Sequence, residues 1–515
     1  MTDTASPLVP SAALATPIRW RLLLIAMTIY AALSAWMAVA SEGFLEADGI
    51  THYLARRFAL SQPLHIVGVW SRPVCVLLYC LPAYTGGLVA TRLTSLVLVL
   101  LTALLTVDVA RRAGFRRPEV AGLLLLTQPL LFAHSFSELT EVPFALMLLA
   151  MFAAYQRRWF GTMAIIAAVA PAARPEGFGV LAVAAVALLA HRRFAWLAVL
   201  PLGVVAWNYA GWRVFGATEW YPWWQWLRMN WPYSPQSVYG SGHAYYFLVI
   251  LPAVVGPVAF PFVWAGAWQC LFRSPRDGAA RSGGARGWLA AVLADHPFRC
   301  RVLMALVPLG VLIGHSLLWA MGRMASNGEP RYMLVAAPFW ALLAALGWEW
   351  LRDWAPSLRP VRLAAAAAIV PLLANAAYPS FPLSGQVDDR LARAFVDRRN
   401  ADTPEAAALR RKYPLIAASL PHVFLRLDID RLDTTRVADP SQASVARVPR
   451  GVMMVWDDIY STHNSNEAYC VSEQLLATHG WKPVHTIHDE GRRVVVYLSP
   501  LDIEGNPTGL PSAAD

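Results

Sequence analysis

Over its first three quarters the chain alternates long apolar blocks with short, arginine-bearing connectors; it then changes to the mixed pattern of a small water-facing domain. The apolar blocks are hydrophobic all round rather than striped on one face, the pattern of helices embedded in lipid. About eleven spans are predicted, at 20–40, 87–109, 119–134, 142–156, 160–173, 177–191, 194–212, 245–271, 302–321, 332–350 and 361–378. Several lie near the lower limit of about 17 residues for crossing a bilayer. Pro-Ser-Phe-Pro at 379–382 reads as a linker. Beyond it the pattern predicts a charged helix over 388–412, an alternating strand at 423–429, a strand at 451–457, a helix over 467–480 and a strand at 492–498. The expected fold is a polytopic α-helical membrane protein (residues 1–378) with a small α/β domain (379–501) and a flexible tail (502–515).

Composition agrees with a membrane protein. Hydrophobic residues make up 57% of the 515 and charged residues only 15%, against about 25% in soluble domains. The net charge of +10 would suit nucleic acid, but its distribution argues otherwise. Residues 379–515 carry a balance of −3 and residues 1–378 one of +13, so the positive charge sits in the loops between apolar blocks. With the N-terminus cytoplasmic, nineteen arginines fall in inner segments and nine in outer ones. That asymmetry is the one membrane insertion favours. An odd number of spans then places the C-terminal domain on the periplasmic (extracytoplasmic) side, with the chain in the inner (plasma) membrane. Ala38-Val39-Ala40 has the look of a signal-peptidase site, but a preceding apolar stretch of about twenty residues is long for a signal, and an uncleaved first span is the expectation. The five cysteines have neither CxxC nor zinc spacing.

Candidate chemistry gathers in the outer loops. The first, SEGFLEADGITHYLARRFAL (41–60), holds Glu42, Glu46, Asp48 and His52, with a short interfacial helix expected over 53–60. A carboxylate there stays in water and can act as a general base on a hydroxyl. The second, AHSFSELTEVPF (133–144), places Glu138 and Glu141 at the outer end of the fourth span. Acids near a helix N-terminus are favoured without any function, yet acids near a span commonly have a partner or a role. Arg174-Pro175-Glu176-Gly177 interrupts an apolar block, and the loop at 217–246 is rich in Trp and Tyr, as an aromatic belt or a lipid or sugar groove would be. Residues 322–338 carry Arg323, Glu329 and Arg331 just before a span; arginine suits phosphate by its permanent charge and forked donors. In the C-terminal domain, His485, His488, Asp489 and Glu490 lack a ligand geometry, because positions three apart on a strand face opposite sides. Asp428, Asp430, Asp433, Asp457 and Asp458 read as solvated loop acids.

Taken together, Glu46-Ala-Asp48-Gly, Ser137-Glu138, Arg174-Pro-Glu-Gly and Asn327-Gly-Glu-Pro-Arg331-Tyr, in that order and on one side, resemble the GT-C superfamily of integral membrane glycosyltransferases over about 20–350. That superfamily includes protein O-mannosyltransferases, GPI mannosyltransferases and bacterial aminoarabinose transferases. The resemblance implies transfer of a sugar, with inversion, from a polyprenyl-phosphate donor to a glycan, lipid or protein acceptor on the extracytoplasmic face. It implies a catalytic base at Asp48, with Glu46 as its competitor because Ala47 separates acids that family members commonly place side by side. Glu138 maps to a second acid. Arg331, Arg174, Glu141, His52 and Glu329 are the expected substrate-binding residues. The resemblance fixes no cofactor; a divalent cation, magnesium or manganese, is the one it allows, since the second acid helps bind a metal in some members and not in others. Membrane lipids are expected partners and nucleic acid is not. Two other classes compete: a transporter or flippase, which would place ionisable groups mid-membrane and often shows internal repeats, and a non-catalytic membrane scaffold.

Overall fold

A computed structural model describes residues 18–68, 70–219, 237, 239–272, 284–323, 327–354, 381–463 and 467–508. The chain divides into two compact units. A helical unit comprises the residues up to Ala40 together with Leu64–Phe381, and a second unit comprises Ser41–Pro63 together with the chain from Pro382 onward. The segment holding Glu46, Asp48 and His52 therefore groups with the C-terminal residues and not with the helices that flank it in sequence.

In the helical unit, five helices among the described residues are long and apolar enough to cross a membrane: Trp20–Ala40, Pro73–Arg112, Phe194–Val214, His296–Ala320 and Pro330–Asp353. A sixth crossing is available if Tyr246–Val255 and Phe260–Phe272, bent by 109° at their break, count as one. These fall on the expected spans at 20–40, 87–109, 194–212, 245–271, 302–321 and 332–350. The expected spans at 142–156, 160–173 and 177–191 are shorter apolar helices, and 119–134 is divided into Pro118–Leu126 and Pro129–His134. The span expected at 361–378 and most of the aromatic loop at 217–246 lie outside the described residues. The helix over Pro73–Arg112 starts fourteen residues before its expected span; non-helical backbone at Gly87 (φ 62°) kinks it where that span was expected to begin.

Lipid-facing and packed positions separate along each span. Trp20–Ala40 buries Leu23, Tyr30, Ser34, Met37 and Ala38, at helical spacing, while Leu24, Ile25, Ile29 and Trp36 are exposed. Pro330–Asp353 is the most enclosed of the five, with Phe339 and Trp340 fully buried. It packs closely on Phe260–Phe272 through two glycines. A Cβ on Gly266 would lie 1.9 Å from the Leu343 carbonyl oxygen, and one on Gly347 would lie 2.0 Å from that of Phe262. Small residues at such crossings let backbones approach where lipid offers no hydrophobic drive to association.

The second unit is a four-stranded sheet flanked by helices. Its strands are β1 (Leu415–Ala418), β2 (Val452–Asp457), β3 (Lys482–Asp489) and β4 (Arg492–Leu498), in the order β1-β2-β4-β3. β1 and β2 are parallel; the other two pairings are antiparallel. Val452, Met454, Trp456, Val495, Tyr497 and Trp481 pack on one face. The 41–63 segment is tied in by backbone. The N–H groups of Glu42 and Gly43 donate to the Leu383 carbonyl (3.0 and 3.1 Å), and Gln386 Nε2 donates to the Phe44 carbonyl (2.7 Å). A Cβ on Gly43 would lie 2.2 Å from the Ser384 carbonyl oxygen, so this contact needs glycine.

Several expected elements of this unit are corrected. Residues 423–429 form no strand; they belong to a helix, Pro421–Leu427, with proline in its first turn and Asp428 in the left-handed region (φ 47°) at its end. The helix expected over 388–412 is two, Val387–Asn400 and Pro404–Lys412, because the Thr403 side chain caps the second and Pro404 opens it. Within 467–480 only Glu473–Thr478 is α-helical, capped by Ser472. Residues 502–508 are held against the sheet: Leu501 bridges Pro507, and Thr508 Oγ1 donates to the Ser499 carbonyl (2.5 Å).

Candidate functional site

In the helical unit the connectors at 133–144, 174–177 and 327–332 bring their charges into one buried cluster. Glu141 opens the helix Glu141–Gln156, where a carboxylate complements the helix dipole. Its Oε1 lies 2.7 Å from Arg174 Nη1 and 3.7 Å from Arg331 Nε. Arg174 also forks onto Glu176 (Nη2–Oε1 2.8 Å, Nε–Oε2 3.2 Å) and donates from Nη1 to Thr140 Oγ1 (2.7 Å). His315 Nε2 stands 3.4 Å from the same Glu176 oxygen, and its ring stacks on Tyr332 at 4.9 Å. Tyr332 donates to Asn327 Oδ1 (2.7 Å), while Asn327 Nδ2 and Arg331 both engage Glu329. Five residues from three separate motifs, Glu141, Arg174, Glu176, Glu329 and Arg331, thus share one network. Alone, each would be a costly charge among apolar helices; together they offset that cost.

Glu138 has a different partner. Its Oε1 lies 2.5 Å from Arg92 Nε, and both side chains are only 1% exposed. Ser95, one turn beyond Arg92, donates to the Ser137 carbonyl (2.6 Å). Glu138 is therefore enclosed between the Pro73–Arg112 helix and the turn before Glu141. Arg92, His315 and Thr140 are missing from the residues singled out by sequence. The available signal was that Arg92 and His315 are ionisable residues inside apolar stretches, which ordinarily mark a partner.

Charges expected on the opposite side form their own clusters. Asp108 pairs with Arg112 (3.2 Å) and with Arg157, and Arg116 pairs with Asp353 (2.5 Å). His191 lies 2.8 Å from Arg299 Nη1, and its ring sits 5.4 Å from that of His296.

The remaining candidates belong to the second unit. Glu46, in extended conformation, is the cap position of the helix Ala47–Phe58, and Asp48 lies in its first turn, with both residues half-buried. His52 follows one turn after Asp48 and is buried. The helix begins earlier than the 53–60 expected. In its last turn Arg57 pairs with Asp428 (3.3 Å), and ahead of it Glu42 lies 3.7 Å from Arg393.

Among the C-terminal acids, Asp457 corrects the expectation of a solvated loop carboxylate. It is fully buried and accepts from the Ile459 and Tyr460 N–H groups (3.0 and 2.5 Å) and from Ser461 Oγ (3.0 Å), closing the turn after β2. Burial raises its pKa, and those hydrogen bonds work against the rise. Asp430 and Asp433 do cap exposed loop N–H groups. Among the described residues, no group of three or more His, Cys, Asp or Glu side chains is placed to hold a metal ion.

No protein-family model and no curated protein sequence matches the chain. Solved structures do. ArnT from Cupriavidus metallidurans in the apo state superposes with a TM-score of 0.57 at 15% identity, covering 93% of this chain and 97% of that one. The same ArnT bound to undecaprenyl phosphate gives 0.53, with the same identity and coverage. The likeness spans membrane helices and C-terminal domain alike, so the GT-C resemblance read from four short motifs is matched by a shared fold over nearly the whole chain.

Proposed function

We propose that this chain is a membrane glycosyltransferase that moves a sugar from a polyprenyl-phosphate carrier to an acceptor hydroxyl at the extracytoplasmic face of the inner membrane. The observation that carries the reading is the end-to-end likeness to ArnT, a protein solved with undecaprenyl phosphate bound. A sugar hydroxyl is a weak nucleophile, so a base must take its proton as the glycosidic bond forms; Asp48 takes that role, with Glu46 as the alternative. The departing carrier phosphate gains negative charge, and arginine at 331 or 174 counters it. The bilayer holds the long prenyl chain, leaving the protein to orient head group and acceptor. Glu329, Glu141 and His52 complete the set by holding those groups in place. Magnesium or manganese is the competing source of positive charge, and turnover after chelator treatment separates the two. The inverting course and the roughly eleven crossings belong to the same proposal.

The test is consumption of polyprenyl-phosphate sugars by purified protein in detergent. Asp48→Asn should fold, bind carrier and lose about 10²–10⁴ in rate. Full turnover by both Asp48→Asn and Glu46→Gln would remove the base from this segment. Absence of turnover with every donor, where a known relative works, would remove the enzymatic reading.

A further inference from the structure

The second unit contains a shallow pocket of about 500 Å³, open to solvent on one side. Its wall is built where three pieces of chain meet. The helix Val387–Asn400 contributes Asp388 and Arg390 from its first turn. The β3–β4 hairpin contributes Glu490 and Arg492; its two-residue turn puts Glu490 and Gly491 at positive φ (45° and 79°), the type I′ geometry that follows strand twist. The turn closed by Asp457 contributes Tyr460. Ala47 completes the wall, so the residue between the two candidate bases lines this pocket.

Each arginine of the wall is paired with carboxylates. Arg390 Nη2 lies 2.8 Å from Glu490 Oε1, and its Nε lies 2.6 Å from Asp489. Arg492 forks onto Asp388 (2.8 Å) and Asp458 (2.8 Å), and Tyr460 donates to Asp388 Oδ2 (3.3 Å). The lining holds two arginines and two acids, and Asp489 and Asp458 bring two further carboxylates to the same arginines. A free anion gains little there, because each arginine already faces at least two carboxylates, and a free cation would have to compete with those arginines for them. A neutral polyol fits better. Each hydroxyl both donates and accepts, so vicinal hydroxyls can span an arginine–carboxylate pair without displacing it. The Tyr460 ring offers an apolar face for sugar C–H groups.

We infer that this pocket binds a neutral sugar ring of the acceptor, making the acceptor a carbohydrate. The inference rests on the sugar-transfer reading for the word acceptor but not for the binding itself. It also gives Ala47 a reason to be small, since a larger side chain between Glu46 and Asp48 would intrude on the pocket.

Saturation-transfer NMR on the full chain in detergent tests this without any donor. The probes are methyl hexosides and short neutral oligosaccharides, with a sugar phosphate and an acidic peptide for comparison. Transfer to the neutral saccharides is expected, with at least a tenfold weaker affinity in Tyr460→Ala and in Arg390→Gln. Arg390 is 43% exposed, so its variant should fold even if Tyr460→Ala does not. No transfer to any neutral saccharide, transfer unchanged in a folded Arg390→Gln, or tighter binding of the sugar phosphate would each overturn the assignment. Saccharide binding lost in these variants, in a protein that consumes no donor, would leave the pocket standing and sink the transferase reading. Donor turnover with acceptor KM unchanged by both variants would do the reverse.

Discussion

The pair Arg92–Glu138 gives the sharpest energetic prediction. Its atoms are 2.5 Å apart and both side chains are 1% exposed, so neither charge has appreciable access to water. With the charge centres about 4 Å apart and an effective dielectric constant near 20, the attraction is about 4 kcal/mol. Removing one partner leaves the other buried without this pairing, at a cost of about 3–5 kcal/mol. Removing both, as Arg92→Met with Glu138→Leu, eliminates the two desolvation penalties together, so the double variant should be far more stable than the sum of the singles predicts. The coupling should reach about 3 kcal/mol, the upper end for residues in contact. Reversible unfolding in mixed micelles of rising SDS fraction, followed by circular dichroism, measures each corner of the cycle. Additive losses, or single-variant costs below about 1 kcal/mol, would refute the reasoning. The same four proteins settle the role of Glu138 in turnover. An acid held this way is expected to position the loop before Glu141, so the double variant should keep its rate within about tenfold. A stable double variant that lost 10²–10⁴ would make Glu138 a catalytic acid.

Two further predictions concern packing and pH. Gly266→Ala should destabilise the helical unit by more than a surface change, because the new Cβ would meet the Leu343 carbonyl at 1.9 Å and force the two helices apart; a melt in detergent with an unchanged midpoint would contradict the close crossing. His422 is fully buried, and burial, aided by Arg426 and Arg492 against the opposing pull of Asp388 and Asp389, pushes its pKa down to about 4. The unfolded imidazole titrates near 6.5, so between about pH 6.5 and 4 unfolding takes up a proton that the folded state refuses, and the second unit should lose stability on acidification through that window. His422→Leu should flatten that slope by close to one proton, as read from hydrogen exchange of the β2 and β4 amides at several pH values.

The sequence made the membrane helices legible because apolar runs of spanning length have no other use, and Trp20–Ala40 and His296–Ala320 lie close to where hydropathy put them. It also exposed Glu141, Arg174 and Arg331, since charges that interrupt apolar blocks are visible without coordinates. Arg92 was harder, because a single arginine inside a predicted span looks like a topological marker until its acid is found 46 residues away. The second unit was read less well, for physical reasons. β1 is only four residues long and β3 is an edge strand with mixed polar faces and a proline, so neither shows clean period-two alternation. Pro421–Leu427 misled in the opposite direction: Leu425, Arg426, Leu427 and Asp428 alternate like a strand, but a proline start and a left-handed stop fix a two-turn helix. The grouping of Ser41–Pro63 with the chain beyond Pro382 depends on backbone contacts more than three hundred residues apart, which no local pattern encodes.

The two arginines of the buried cluster are chemically alike but are held by different neighbours, and that difference predicts how they divide the work. Arg174 directs Nε and Nη2 at Glu176 and Nη1 at both Thr140 and Glu141, so the donors of its fork are spent on protein. Arg331 shares Glu141 at the longer distance of 3.7 Å, engages Glu329, and rests 5.9 Å from the Tyr332 ring centre. On the proposed transferase reading, a carrier phosphate can draw on Arg331 without disturbing the turn at 174–177, which Arg174 holds through Glu176. Arg174→Lys keeps the charge but loses the fork; with charge-assisted bonds contributing about 1.5–3 kcal/mol each, it should cost about 2–4 kcal/mol of stability while leaving donor KM within about twofold. Arg331→Lys should do the opposite, raising donor KM by about tenfold, a loss of 1.4 kcal/mol, with a smaller effect on unfolding. Steady-state kinetics on both variants beside their SDS unfolding curves separate the two roles, and an interchange of the two patterns would mean that Arg174 is the residue facing the phosphate.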